Sequence, residues 1–171
     1  CIRDSKKREL VLGCHANKPD KETLVFKVDA DHGGCLDTRR STTGLIMELM
    51  GTVVLTLSKR QSSVANSTLK AEMIAIQTAC HQIESTKMLL AEVGVEIGIV
   101  PIYTDSKNCI DSLMGDYPSA KAKHFCMLWY EVKEYLVNKV IELHFVEGTE
   151  NTADVLTKPL AKVVHEKHVA N

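Results

Sequence analysis

The sequence lacks several features that would place it at once in a specialised class of protein. It has no apolar run long enough to span a bilayer and no signal-peptide pattern at its start. Its 21 Lys and Arg against 22 Asp and Glu leave a net charge of −1, so composition alone does not indicate a nucleic-acid binder. No internal repeat or low-complexity segment is evident. One soluble globular domain is therefore the expectation for 171 residues.

Cysteine pairs at metal-binding or disulfide spacing are also missing. The six cysteines are scattered, with no CxxC pair and no zinc-type arrangement with histidine. This distribution argues against a disulfide framework or a zinc ribbon, and it favours a reducing intracellular compartment.

Basic residues occur in short local groups, for which solvated loops are the ordinary explanation. We expect these basic residues to contact phosphate groups only if the fold places them around an acidic site.

Four carboxylates stand out against this background. Asp29 and Asp105 each lie where an apolar run gives way to polar residues. Glu72 lies inside a helical stretch, and Asp154 opens a short late one. If the fold gathers these acids, they raise one another's pKa values, and a divalent cation relieves the repulsion. Hard oxygen ligands suit Mg²⁺ or Mn²⁺ rather than zinc, so the sequence predicts a site for two-metal phosphodiester chemistry.

The hydrophobic pattern predicts a mixed α/β fold. Strands are expected at residues 24–29, 45–50, 52–58, 98–105 and 140–146. A period of three to four residues predicts a helix from Ser67 to about Val93, and shorter helices are expected at 106–113, 122–138 and 152–159. Pro101 fits its strand only near the start or at a bulge. The order β β β α β α α β α predicts a mixed sheet with helices on both faces.

Six segments of the chain form an ordered set: DADHGGCLDTRRSTTG, SKRQSSVA, AEMIAI, IYTDSKNCI, KAKHF and ENTADVLTKPL. In this order they resemble the ribonuclease H domain of Ty1/copia-type retrotransposon polyproteins, from about Val28 to Leu160. The resemblance implies a ribonuclease H-like α/β fold, with three antiparallel strands then two parallel ones and helices on both faces. It places the domain at residues 24–160, after a leftover of the polymerase or connection region at 1–23 and before a flexible tail at 161–171.

The resemblance also implies an activity and its residues. The implied enzyme cleaves the RNA strand of an RNA–DNA hybrid, after reverse transcription by the upstream polymerase domain of the same polyprotein, in a cytoplasmic virus-like particle or replication complex. The implied catalytic and metal-binding residues, which would hold two Mg²⁺ or Mn²⁺ ions, are Asp29, Glu72, Asp105 and Asp154. The implied contacts to the hybrid, recognised by shape rather than sequence, are Arg40, Ser41, Thr42, Lys59, Ser67, Lys123 and His124.

Asp31 is a rival for the role of bridging ligand. On a strand it shares a face with Asp29, because Ala30 points the other way, so periodicity alone allows either residue. Asp29 directly follows the apolar strand, whereas Asp31 leads into the Gly-containing loop. That placement favours Asp29, and the choice stays open at the level of sequence.

Several positions depart from the usual pattern of this family. His32 and Gly33 stand where a Trp is usual, Lys70 and Met73 lie on either side of Glu72, and the EGTEN loop has no His. These departures leave open a second interpretation: a decayed remnant with the same fold and only a structural or nucleic-acid-binding role. An integrase-like transferase is a third, but it needs a three-acid site and usually a zinc module, which this sequence does not match.

Overall fold

A five-stranded sheet forms the centre of the computed structural model, which describes residues 24–120, 122–163 and 165. The strands are β1 (Leu24–Ala30), β2 (Thr42–Leu49), β3 (Thr52–Arg60), β4 (Val100–Thr104) and β5 (Ile141–Phe145). Their order across the sheet is β3-β2-β1-β4-β5. β1, β2 and β3 are antiparallel, while β4 is parallel to both β1 and β5. The predicted arrangement of strands is confirmed.

Within residues 24–160, apart from residue 121, three α-helices and two 3₁₀ helices connect or follow these strands. The α-helices are α1 (Thr68–Glu92), α2 (Lys107–Met114) and α3 (Cys126–Val137), and the 3₁₀ helices are Lys123–Phe125 and Thr152–Leu156. The predicted helix at 122–138 therefore begins as a 3₁₀ turn. The last predicted helix is also 3₁₀ and ends before Pro159, which disfavours helical geometry at Lys158.

Strand β2 is longer at its start than its apolar residues predict. It begins at Thr42, where the backbone pairs with Arg60 of β3, rather than at Leu45. Hydrophobic alternation misses this extension because the added residues are polar or lack a side chain. Pro101, the second residue of β4, lies near the strand's start as expected.

The core lies between the sheet and α1. The buried face of α1 carries Leu69, Met73, Ile76, Cys80 and Ile83, which follow the spacing of three to four residues. This helix packs on β1, β2 and α3, whose Trp129 is buried. Within the described chain, no helix combines the length and apolar character that a bilayer crossing requires.

Some predictions concern residues that the structure does not describe. The expected polymerase leftover at 1–23 lies wholly outside the described residues, as does most of the expected tail at 161–171. The described free cysteines are Cys35, Cys80, Cys109 and Cys126. The assignments of residues 1–23 to a polymerase leftover and of 161–171 to a flexible tail stay predictions.

Candidate metal centre

The register of two parallel strands places Asp29 and Asp105 side by side. Lys27 of β1 pairs with Tyr103 of β4. Asp29 and Asp105 each follow two residues later, at the carboxyl end of their strands. Because side chains alternate along a strand, both acids project from the same face of the sheet. Asp29 is 1% exposed and Asp105 is partly buried.

A third acid joins them from the 3₁₀ helix Thr152–Leu156. One carboxylate oxygen from each of Asp29, Asp105 and Asp154 lies within 4.8 Å of the other two. Three oxygen ligands at this separation can contact one hard cation together. The structure therefore brings together three of the four acids that the sequence predicts for the metal site.

Close packing against the sheet fixes the position of the segment 152–158. The buried Asn151 side chain donates to the carbonyl of Val28 (2.9 Å) and accepts from the amide of Ala153 (3.2 Å). Gly44, which pairs with Asp29, lies directly under this segment. A Cβ at Gly44 would come within 2.8 Å of the Ala153 carbonyl oxygen and 2.7 Å of the Thr157 methyl group. A glycine fits there because a Cβ would force the segment that carries Asp154, or β2 itself, to shift.

Glu72, the fourth predicted acid, lies in the first turns of α1, close enough to interact electrostatically with the three aspartates. Its Oε2 atom is buried and has no hydrogen-bond partner among the described residues. A buried carboxylate oxygen without a partner is costly. A cation held between Glu72 and the aspartates would supply the missing contact, so the donor set fits a divalent metal.

The pKa values show how unfavourable the bare cluster is. Burial raises the pKa of Glu72 to about 9, and the charges of Asp29 and Asp105 add to that increase. Burial likewise raises the pKa of Asp29 from 3.8 to about 6, against the opposing effects of Thr157 and Lys158. The pKa of Asp105 is raised by burial as well. A site that resists ionisation in this way is stabilised by cations.

Thr157 and Lys158, which directly follow the 3₁₀ helix, also contact the cluster of acids. The hydroxyl of Thr157 donates to Asp29 and to the carbonyl oxygen of Asp154. The ammonium of Lys158 lies 2.5 Å from Asp154 Oδ1 and 3.7 Å from Asp29 Oδ2. Partial burial is the largest single effect on Lys158 and disfavours its charge, but the hydrogen bond to Asp154 and the charges of the three aspartates together outweigh burial and raise the pKa of the lysine.

Asp31 has a different role in the structure. Its Oδ1 atom accepts a hydrogen bond of 2.5 Å from the amide of Thr42, where the loop after β1 returns to the sheet. The carboxylate also lies against the backbone of Gly34. Asp31 is not part of the group of three acids whose oxygens converge. These contacts favour Asp29 over Asp31 as the bridging residue.

The predicted hybrid contacts fall into two groups by exposure. Arg40, Lys59, Lys123 and His124 are exposed. By contrast, Ser41 is fully buried and its hydroxyl accepts from the amide of Gly33. The Ser67 hydroxyl accepts from the amide of Lys70 and caps α1. Both serines therefore have structural contacts of their own, and a role in nucleic-acid binding stays a prediction for the whole group.

Sequence reasoning did not select Thr157, Lys158 or Gly44 as site residues. The spacing of Asp154 and Lys158 is i,i+4, a separation at which a carboxylate and an ammonium commonly meet. That signal was available in the segment ADVLTKP. Gly44 had no such signal, because its importance depends on a segment more than 100 residues away in the chain.

Similarity searches connect the chain to transposon polyproteins. It is 32% identical over 130 residues to a retrovirus-related Pol polyprotein from transposon TNT 1-94 of Nicotiana tabacum, which covers 76% of this chain. It is 27% identical over 160 residues to the transposon Ty1-NL2 Gag-Pol polyprotein of Saccharomyces cerevisiae, which covers 92% of this chain. The chain spans only 10% and 9% of the length of these relatives. No protein-family model matches.

Solved structures with the same fold are ribonucleases H and a viral reverse transcriptase. LC11-RNase H1, crystallised in complex with an RNA/DNA hybrid, superposes with a TM-score of 0.59 at 14% identity, covering 78% of this chain and 93% of that chain. The protease-reverse transcriptase of prototype foamy virus has a TM-score of 0.54 at 17% identity, covering 90% of this chain and 20% of that chain. At these identities the similarity establishes the ribonuclease H-like fold.

Proposed function

We propose that this chain, a homologue of the Pol polyproteins of Ty1/copia-type retrotransposons with a ribonuclease H-like fold, is a nuclease that cleaves the RNA strand of RNA–DNA hybrids. The observation that carries the proposal is the convergence of Asp29, Asp105 and Asp154 within 4.8 Å, next to the unpartnered oxygen of Glu72. Such a site suits phosphodiester hydrolysis because it can hold hard divalent cations against a phosphate.

The four acids have distinct proposed roles. Divalent cations held here would supply Lewis acidity for the attack of water on phosphorus and for the departure of the 3′ oxygen. Asp29, whose carboxylate converges with those of Asp105 and Asp154, would contribute a ligand on both sides of the site. Glu72 and Asp105 would complete one side, and Asp154 the other. Thr157 would orient the Asp29 carboxylate through its hydroxyl.

The hybrid is the proposed substrate because the fold and the homology both point to it. One solved neighbour is described in complex with an RNA/DNA hybrid, and the homologues are Pol polyproteins. We propose that an upstream reverse transcriptase domain supplies the hybrid, inside a cytoplasmic virus-like particle. Exposed Arg40, Lys59, Lys123 and His124 are the proposed phosphate contacts.

A decayed remnant is the second candidate function. It is favoured by the sequence around Glu72, where Lys70 and Met73 depart from the usual family pattern. In the structure, however, the Lys70 ammonium lies 3.5 Å from the carbonyl oxygen of Val64, and Met73 is buried in the core. No hydrogen bond or ion pair joins Glu72 to either residue among the described contacts, which supports an intact cluster of acids.

A strand-specific cleavage assay tests the proposal. The chain is incubated with Mg²⁺ or Mn²⁺ and a hybrid labelled on the RNA strand or on the DNA strand, with duplex DNA and duplex RNA as comparisons. We expect cleavage of the RNA strand of the hybrid only, abolished by EDTA. A folded chain that leaves the RNA strand intact at enzyme concentrations above that of the hybrid would favour the remnant.

A further inference from the structure

The ammonium group of Lys158 lies beside the carboxylates of Asp29 and Asp154. It is 2.5 Å from Asp154 Oδ1 and 3.7 Å from Asp29 Oδ2. The Asp29 side chain is 1% exposed, while that of Lys158 is 43% exposed, so the lysine reaches a buried acid from the solvent side. A cation of single charge therefore contacts two of the oxygens that a divalent cation at this site would use.

We infer that Lys158 is an internal counter-ion of the carboxylate cluster, which weakens divalent-cation binding on the Asp29–Asp154 side and is displaced when such a cation binds. The inference rests on the proposed metal-dependent function, but it concerns a residue that the proposed function does not use. It makes Lys158 a positioning residue rather than a catalytic one.

The charges and the geometry explain how Lys158 can stabilise the carboxylate cluster and also move away when a divalent cation binds. Without a divalent cation, its positive charge reduces the repulsion between Asp29 and Asp154. When a divalent cation approaches the same oxygens, the two positive charges repel each other at close range. The lysine side chain is flexible, and its exposed part gives the ammonium a path to water.

The contacts of Lys158 make the two sides of the cluster unequal. Among the ion pairs of the described residues, Lys158 pairs with Asp29 and Asp154 but not with Glu72 or Asp105. A first cation on the Glu72–Asp105 side competes only with the longer contact of the ammonium to Asp29, at 3.7 Å. A second cation on the Asp154 side must displace one. We therefore expect divalent cations to bind in a stronger and a weaker step, with Lys158 acting on the weaker step.

Calorimetric titration with Mn²⁺ tests this role in the full chain. Lys158→Met removes the charge and keeps a side chain of similar length, while Lys158→Arg keeps the charge. Lys162→Met is the matched control, because Lys162 is exposed and lies four residues further along. We expect Lys158→Met to tighten the weaker step about tenfold, because the competing charge is gone. Lys158→Arg and Lys162→Met should bind like the wild type.

Chemical labelling of lysines provides a second measurement that does not depend on a variant folding. The wild-type chain is acetylated briefly with and without saturating Mn²⁺, and the modification of each lysine is quantified by mass spectrometry. Labelling of Lys158 should rise several-fold with Mn²⁺, while labelling of Lys162 stays constant. Unchanged or reduced labelling of Lys158 at saturating Mn²⁺ would overturn the inference.

Hybrid cleavage, measured on the same samples, separates failure of this inference from failure of the proposed function. Unchanged Mn²⁺ affinity in folded Lys158→Met, together with hybrid cleavage by the wild type, overturns the counter-ion role alone. Tighter Mn²⁺ binding by Lys158→Met with no cleavage by the wild type supports the counter-ion role and contradicts the nuclease. Absence of Mn²⁺ binding in every variant overturns both.

Discussion

At the scale of single residues, the site is built from groups that are unfavourable without a cation. Asp29 is buried beside two other aspartates, and Glu72 has a buried oxygen that finds no partner in the described part of the chain. Evolution of a stable core would replace such residues with apolar ones, because unpaired buried carboxylates cost free energy. The proposed cation binding would account for their arrangement, because each unfavourable contact would become a ligand contact.

The substitution Asp105→Asn tests this explanation. The change removes one charged ligand, so we expect RNA cleavage to fall roughly a thousandfold. It also removes repulsion among the acids, so the melting temperature in EDTA should stay equal or rise. Thermal unfolding and cleavage are measured on the same preparation. A marked loss of stability would instead indicate that Asp105 has a structural role, as a turn residue after β4.

The stability of the chain in EDTA should depend on pH in a defined direction. Asp29 and Glu72 bind protons more tightly in the folded chain than in the unfolded one, since their pKa values rise to about 6 and about 9. Their contribution to stability is therefore greatest at low pH and is lost as pH rises from about 4 to about 9. Between pH 5 and pH 8 we expect the melting temperature to fall, on the order of 10 °C.

The matched variant for the pH experiment is Glu72→Gln. It removes the titrating group with the larger increase in pKa, so the fall in melting temperature between pH 6 and pH 9 should be smaller than in the wild type. Saturating Mg²⁺ should also reduce the slope in the wild type, because the cation favours the ionised acids. Equal slopes in EDTA for the wild type and Glu72→Gln would contradict the account of the cluster.

At the scale of elements, the 3₁₀ helix Thr152–Leu156 depends on close contact with β2. The substitution Gly44→Ala would place a Cβ within 2.8 Å of the Ala153 carbonyl oxygen, so the segment that carries Asp154 must shift. We expect a loss of about 1–3 kcal/mol in the free energy of unfolding. Mn²⁺ affinity should fall by more than about tenfold, since one ligand moves away from the other two.

Gly98→Ala is the control for this substitution, because a Cβ at Gly98 has nothing within 4 Å. It should leave both the free energy of unfolding and the Mn²⁺ affinity close to the wild-type values. Denaturant unfolding and calorimetry measure the two quantities. Wild-type Mn²⁺ affinity in Gly44→Ala would show that the position of Asp154 does not depend on the contact with β2.

The elements themselves were largely predictable, while the contacts between them were not. Apolar periodicity predicted the five strands and the helices α1, α2 and α3 within a few residues, because burial against one face determines the spacing. It placed the start of β2 three residues late, since Thr42 and Thr43 are polar. The roles of Thr157 and Lys158 depend on the folding of residues 152–158 over β1, a long-range contact that local pattern cannot supply.

At the scale of the whole molecule, the chain has little net charge for a protein proposed to bind nucleic acid. With a net charge of −1, it lacks the electrostatic attraction that supplies most non-specific affinity for a duplex. We expect the isolated chain to bind the hybrid weakly, with a dissociation constant on the order of micromolar or higher at physiological salt. A tethered polymerase domain would compensate by raising the local concentration of hybrid.

Fluorescence anisotropy with a labelled hybrid measures this affinity. The Asp105→Asn variant is the protein of choice, because it should bind without cleaving. The affinity should change little when the sequence of the hybrid is scrambled, since we expect the duplex to be recognised by its shape. Nanomolar binding by the 171-residue chain would contradict the proposed dependence on a tethered partner.

The central claim is that Asp29, Glu72, Asp105 and Asp154 together hydrolyse the RNA strand of a hybrid with divalent cations. The most direct test is the end chemistry of the RNA product under single-turnover conditions, with the chain in excess over the hybrid and Mg²⁺ or Mn²⁺ present. We expect fragments with 5′-phosphate and 3′-hydroxyl ends from the wild type, formed roughly a thousandfold more slowly by Asp105→Asn. Fragments with 2′,3′-cyclic phosphate ends, or equal cleavage by Asp105→Asn, would contradict it.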